Sequence, residues 1–327
     1  GLVSLFLLSK FFLKKNILIE NIKGDNHKKF FSFEKKTYLG GIFLLLTIFF
    51  FIFEVDYILI IPFFLIFILG LASDLNIISS PKIRLFYQIL IIFILIYLTD
   101  VVVLNTRIDL IDELLELNSF KYTFTIFCFL VLINGCNFID GANLVLIGYF
   151  LIVSFCIFIL SLSSPIVFEF DEFLILIICF LILLIFNFYS KILMGDGGAY
   201  LVGLLYGYFG IILSNQNIDV SPIYILNLLW YPAFENLFSI IRKLYTKISV
   251  SKADNFHLHH YLYKFLNKKI KYKKSNNSFT GLTINIYNLI VLSFSTIVSH
   301  HSGYLSIILS INIIIYLYFY NFLKKRT

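Results

Sequence analysis

Charge is scarce in this chain: only 14% of its 327 residues are Asp, Glu, Lys or Arg, against roughly 25% in an ordinary soluble domain. Trp and Met occur once each, Pro five times and Cys four times. The cysteines, Cys128, Cys136, Cys156 and Cys179, form no CxxC pair, which argues against a disulfide framework and a thiolate metal site. Period-two alternation is missing from the apolar runs, which disfavours a β-barrel. Neither a transporter-like internal repeat nor a low-complexity linker is evident. What is present is apolar. Phe alone contributes 39 residues, 60% of the chain is apolar or aromatic, and mean hydropathy is +0.92. A soluble chain of this size lacks the core volume to hide that surface, so a soluble enzyme, a DNA-binding domain and a disordered chain are excluded. Runs of about 18 or more apolar residues recur along the whole length, the signature of membrane-spanning helices.

These runs predict an all-α, polytopic membrane protein forming a single domain over residues 1–327. About 11 spans are expected, at 2–19, 38–53, 57–72, 84–104, 120–136, 143–162, 172–189, 199–214, 221–241, 280–299 and 303–323. The opening stretch reads better as a first span than as a cleavable signal peptide. Loop charges test the direction. Lys23, Lys28, Lys29, Lys35 and Lys36 follow the first span, Lys82 and Arg84 the third, and Lys191 the seventh. Ten basic residues lie between Arg242 and Lys274 against the one acid Asp254, and the tail ends Lys324-Lys325-Arg326. The alternate loops are acidic or neutral, as at Asp109, Asp112, Glu113 and Glu116. A Lys/Arg excess marks cytoplasmic loops, so the N-terminus is expected outside, in the periplasm, and the C-terminus inside. The basic segment 242–279, with Tyr263, Phe265 and Tyr272 among its lysines, reads as a helix lying on an anionic bilayer surface. Nothing besides its charge suggests nucleic acid.

Polar residues at span ends are costly unless they line a cavity or bind something. Four clusters qualify, all on loops assigned to the cytoplasm. The first is Ser73-Asp74 with Ser80–Gln88, which holds Lys82 and Arg84; a capped helix end explains a lone Asp equally well. The second, Asn134-Gly-Cys-Asn137-Phe-Ile-Asp140-Gly141-Ala-Asn143, offers oxygen donors of the kind Mg²⁺ prefers and glycines that admit a ligand to the backbone. In the third, Met194-Gly195-Asp196-Gly197-Gly198, Asp196 either caps a helix or holds a metal bridging to phosphate. The fourth, Asp254-Asn-Phe-His257-Leu-His259-His260, suits contact with a pyrophosphate better than a closed zinc site.

In order and spacing these four pieces resemble the polyprenyl-phosphate N-acetylaminosugar-1-phosphate transferases, with weaker likeness at His27-Lys28 and Leu39-Gly40-Gly41. The resemblance implies a Mg²⁺-dependent transferase in the bacterial inner (cytoplasmic) membrane, with its active site on the cytoplasmic face. It would pass sugar 1-phosphate from a UDP-N-acetylaminosugar to undecaprenyl phosphate and release UMP, the first membrane step of a cell-surface polysaccharide. By motif match Asn137 and Asp196 would be metal ligands, and Asp74, Asp140 and Asp196 the catalytic carboxylates. Asn134, Asn143, Lys82, Arg84, His257, His259 and His260 would contact the substrates. The acceptor is a phosphate monoester that is largely dianionic at neutral pH, so Asp74 need not be a strong base.

The chain departs from the family pattern at several points. Ser73-Asp74 stands where the family shows an Asp pair, Asn143-Leu144 where many members have a second Asp and Gly, and Thr37-Tyr38 where a Pro-Arg is usual. These changes suit the O-antigen or capsule-initiating branch. The alternatives are a catalytically weak homologue, a CDP-alcohol phosphatidyltransferase (whose Asp-rich helix pair is not found here), and a transporter, which would place charges in mid-span. The sugar and a homodimer are left open.

Overall fold

The computed structural model describes residues 2–15, 18–19, 36–51, 57–163, 170–249, 255–269 and 275–327. The acidic break Glu54–Asp56, residues Lys23–Lys35 and Asp254 lie outside the described residues. Helices run in chain order as α1 (Leu2–Lys15), α2 (Leu39–Phe51), α3 (Tyr57–Asp74), α4 (Pro81–Thr99), α5 (Asp109–Leu115), α6 (Asn118–Ile139) and α7 (Val145–Ser163). They continue as α8 (Phe170–Phe188), α9 (Gly195–Gln216), α10 (Pro222–Leu228), α11 (Trp230–Tyr245), α12 (Leu258–Lys269), α13 (Asn276–Ile297) and α14 (Ser302–Arg326). Among the described residues two isolated bridges are the only β pairings. Among the described residues, seven helices are long and apolar enough to cross a membrane, namely α3, α4, α6, α7, α9, α13 and α14; α2 and α8 are shorter apolar helices. The protein is an all-α, polytopic membrane protein, as its composition requires.

The core helix is α9. Nearly all of its length is buried, because glycines let its neighbours approach to backbone contact. A Cβ on Gly70 of α3 would fall 2.5 Å from the Cα and N of Gly197, and one on Gly41 of α2 would fall 2.7 Å from the Gly198 nitrogen. On another face, a Cβ on Gly203 would sit 2.6 Å from the Cα of Ile133 in α6. In lipid, where apolar side chains gain little by meeting one another, small residues of this kind let helices pack by close van der Waals contact. Helices α2, α3 and α6 are thereby set in fixed register around the N-terminal half of α9.

The run 221–241, expected as one span, is two helices. The chain leaves α10 at Leu229 (φ −108°, ψ 9°) and re-enters α11 at Trp230. Pro232 has no N–H to return to the carbonyl four residues back, and that carbonyl, Leu228, instead accepts a hydrogen bond from the Tyr149 hydroxyl at 2.7 Å. Buried carbonyls away from water are nearly always satisfied in this way. Tyr149→Phe is therefore expected to lower stability by about 1–3 kcal/mol, read as a lower thermal midpoint in detergent. The break re-aims α11 so that Glu235, Asn236 and Ser239 face inward while Ile241, Leu244 and Tyr245 are exposed. Two helices start a few residues before the expected spans: α4 opens at Pro81 and α9 at Gly195, so Arg84 and Asp196 both lie in first turns.

Candidate active site

The site is built at the end of the bundle where α3 and α6 finish and α4 and α9 begin. Residues 36–39 form its strap: the Leu193 N–H donates to the Thr37 carbonyl at 2.9 Å, and the Gly40 N–H to the Leu193 carbonyl at 3.0 Å. This stitch delivers Gly195 with φ +70°, where a Cβ would meet Asp74 Oδ2 at 2.6 Å and the Tyr38 ring at 2.7 Å. Only glycine fits both that backbone and that space. The free N–H groups of the new helix then face carboxylates. Gly197 donates to Asp74 Oδ2 at 3.3 Å, and the Gly195 N–H faces Asp140. Negative charge at a helix N-terminus is favoured by both hydrogen bonding and the helix dipole.

Asp196, in that same first turn, completes a group of three carboxylates. Its Oδ2 accepts from the Ser73 hydroxyl at 2.5 Å and from Arg84 Nη1 at 3.1 Å, while the same Nη1 donates to Ser73 Oγ at 2.6 Å. Burial, reinforced by the charges of Asp74 and Asp196, pushes the Asp140 carboxyl well above the usual carboxylate range; the Gly195 N–H and Lys36 partly offset this. Tyr200, one turn along α9 from Asp196, lies in the field of Asp196, Arg84 and Asp74, with Asn137 beside its hydroxyl.

The structure separates the remaining Asn and Lys candidates from this centre. Asn134 Nδ2 donates to Gln88 Oε1 and to the Leu130 carbonyl, each at 2.9 Å, so it ties α6 to α4. Buried Asn143 donates to Ser190 Oγ at 2.5 Å and Ser278 Oγ at 3.2 Å, and its carbonyl oxygen accepts from Lys36 Nζ at 3.4 Å. Both act as framing residues here. Lys82 is exposed at the mouth beside Arg84.

The histidines join the site through Gly141. A Cβ there would stand 2.4 Å from His259 Nε2, so the loop after Asp140 lies directly on that ring. His257 Nδ1 meets Glu235 Oε2 at 3.0 Å, and Glu235 Oε1 accepts the Leu258 N–H at 3.1 Å. One buried carboxylate thus orients the first ring and caps the start of α12. The His257 ring lies 5.0 Å from Phe138 and stacks parallel to His259 at 5.7 Å, and the His260 ring is 4.2 Å from His259 and 5.6 Å from His257. Burial, with the charge of His257, brings the His259 imidazole down to about 3, against the pull of Glu235. A buried neutral histidine destabilises the fold as its unfolded counterpart takes up a proton. Stability from this group is full above pH ~6.5 and falls as pH drops from ~6.5 toward 3. Hydrogen-exchange protection factors in Leu258–Lys269, taken relative to the intrinsic exchange rate at each pH, are expected to fall between pH 7 and pH 5, and to fall less in His259→Phe.

For a divalent cation the donor set is suitable. Asp140 lies in the field of both Asp74 and Asp196, and Asn137 adds an amide oxygen beside Tyr200. Among the described residues no three carboxylate, thiolate or imidazole groups close into a ligand cage. Mg²⁺ takes one or two protein carboxylates and completes its shell with water and substrate phosphates, so it would need no such cage.

Sequence reasoning did not select Lys36, Tyr200 or Glu235. Tyr200 was within reach, since it sits four residues after Asp196 on one helical face. So was Glu235, a carboxylate inside an apolar run. Lys36 carried no signal, being one lysine of several. As for known proteins, the profile of glycosyl transferase family 4 matches residues 57–214. A probable undecaprenyl-phosphate N-acetylglucosaminyl 1-phosphate transferase of Bacillus subtilis (strain 168) is 28% identical over 204 residues, 62% of this chain. The match spans 56% of that relative's length.

Proposed function

We propose that this chain, whose residues 57–214 belong to glycosyl transferase family 4, transfers N-acetylaminosugar 1-phosphate from a UDP-sugar to undecaprenyl phosphate, forming undecaprenyl-pyrophosphoryl-sugar and UMP. One observation carries the reading: Asp74, Asp140 and Asp196 converge with Arg84 around the N-terminus of α9, at one end of a membrane bundle. The Bacillus subtilis relative, named for undecaprenyl phosphate and an N-acetylglucosaminyl 1-phosphate, supports the acceptor and the class of donor.

In-line phosphoryl transfer needs positioning and charge neutralisation more than covalent help from the protein. Asp196 and Asn137 would hold Mg²⁺, which supplies charge stabilisation to the pyrophosphate oxygens. Arg84, at the mouth with Lys82, meets phosphate; His257 and His260 present ring nitrogens from the basic loop to the nucleotide end. Asp140, held toward its neutral form by burial and its neighbours, is suited to donate a hydrogen bond as charge develops. Asp74, committed to the Gly197 N–H, orients the acceptor. The Lys/Arg excess of its loops supports a cytoplasmic placement of this end, and with it the inner membrane as location.

The deciding experiment uses purified protein in detergent with undecaprenyl phosphate, Mg²⁺ and a panel of UDP-N-acetylaminosugars. UMP is expected with at least one donor and only when Mg²⁺ is present. No UMP across the panel, from protein shown to be folded, would overturn the proposal.

A further inference from the structure

Resting on the transferase reading for the identity of its ligand, we infer that Ser73 is a positioning residue that keeps Arg84 available to the acceptor phosphate. The argument lies in a closed triangle. Arg84 Nη1 divides its bond between Ser73 Oγ at 2.6 Å and Asp196 Oδ2 at 3.1 Å, and the Ser73 hydroxyl donates to that same Oδ2 at 2.5 Å. Ser73 is buried, whereas the Arg84 and Asp196 side chains keep 24% and 20% of their surface exposed. The guanidinium therefore stands at the mouth with one formal partner among the described residues, and a neutral hydroxyl sets its direction. A phosphate entering there would compete with a single carboxylate for an Arg whose planar fork suits phosphate oxygens.

A carboxylate at position 73 would change that balance. It would lie within hydrogen-bond distance of Arg84 and, together with Asp196, hold the guanidinium in a bidentate pair. It would also add a negative charge a few ångströms from where the incoming phosphate must sit. The chain thus uses serine where its family pattern has Asp, and the consequence is specific. Ser73→Asp should weaken acceptor binding, whereas a missing carboxylate that limits catalysis would make the same change beneficial.

The test compares the full chain with Ser73→Asp, Ser73→Ala, Ser73→Thr and Arg84→Lys in detergent. Two readouts are taken: retention of undecaprenyl phosphate with no sugar donor present, and UMP release. Ser73→Asp is expected to weaken retention and raise the acceptor KM about tenfold or more, with the donor KM within about threefold of the parent. Ser73→Thr, which keeps the hydroxyl, should stay near the parent. Ser73→Ala should lose a smaller factor of about two to ten as Arg84 loses its guide. Arg84→Lys should bring the same acceptor loss, again with the donor KM within about threefold of the parent. Size-exclusion profiles identify any variant that fails to fold, and Ser73→Thr against Ser73→Ala still decides the role of the hydroxyl. Retention indifferent to residue 73, or higher activity in Ser73→Asp, overturns the inference whatever the reaction is. An absence of UMP from the parent, with retention still dependent on Ser73, sinks the transferase reading and supports this one.

Discussion

Asp196→Asn is expected to cut UMP release by about a hundredfold or more, the scale seen when one preorganised electrostatic group is removed from an active site. The side chain keeps its shape, so the loss isolates charge. In the structure Oδ2 of Asp196 takes hydrogen bonds from both Ser73 and Arg84. An amide at that place offers a weaker acceptor or, turned over, points a donor at two donors. The variant also removes one of the three carboxylates whose shared field favours a cation at this end. A titration with Mg²⁺ should therefore show a higher activating concentration as well as a lower plateau. Thermal unfolding should change little, because the pair is partly exposed and exposed pairs contribute modestly to stability. Activity within tenfold of the parent would remove Asp196 from the site assignment.

Gly70→Val is expected to cost nearly as much activity, by a different route. The added side chain has backbone atoms of Gly197 and Asp196 within 2.5–2.6 Å of its Cβ, and backbone cannot swing aside as a flexible side chain would. Helices α3 and α9 must separate by something near an ångström. Asp74, one turn beyond Gly70 on the same face of α3, then leaves the Gly197 N–H that it accepts at 3.3 Å. Misplacement on that scale can lower a rate about a hundredfold, and overpacking commonly costs about 1–3 kcal/mol. Both a lower thermal midpoint and a loss of UMP release should appear. Gly303→Ala makes the matched control: a Cβ there meets nothing within 4 Å, so neither readout should move. Unchanged activity in Gly70→Val would show that the register of α3 against α9 does not set the carboxylates.

Much of this molecule was legible before any coordinates. A bilayer demands unbroken apolar runs and penalises polar groups inside them, and both signals are local in sequence. Composition and apolar runs therefore established an all-α membrane bundle, and residues from the four polar clusters meet at one end of it. Asp74, Arg84, Asp140, Asp196 and the three histidines were each selected from neighbours within a few residues. The single span read over 221–241 failed for an equally physical reason. Hydropathy registers how apolar Trp230 and Tyr231 are, but not that Pro232 leaves the Leu228 carbonyl to a tyrosine 79 residues away.

Tertiary structure alone decided which polar groups pair and which stay available. Ser73 reaches Asp196 across 123 positions and Arg84 reaches it across 112; Asn143, chosen for the same reason as Asp140, is taken up by Ser190, Ser278 and Lys36. Nothing in the run of residues distinguishes these fates. A hydrogen bond depends on ångström-scale distances between helices that only their packing fixes, and here glycines on three helices, at Gly41, Gly70 and Gly197, set those distances.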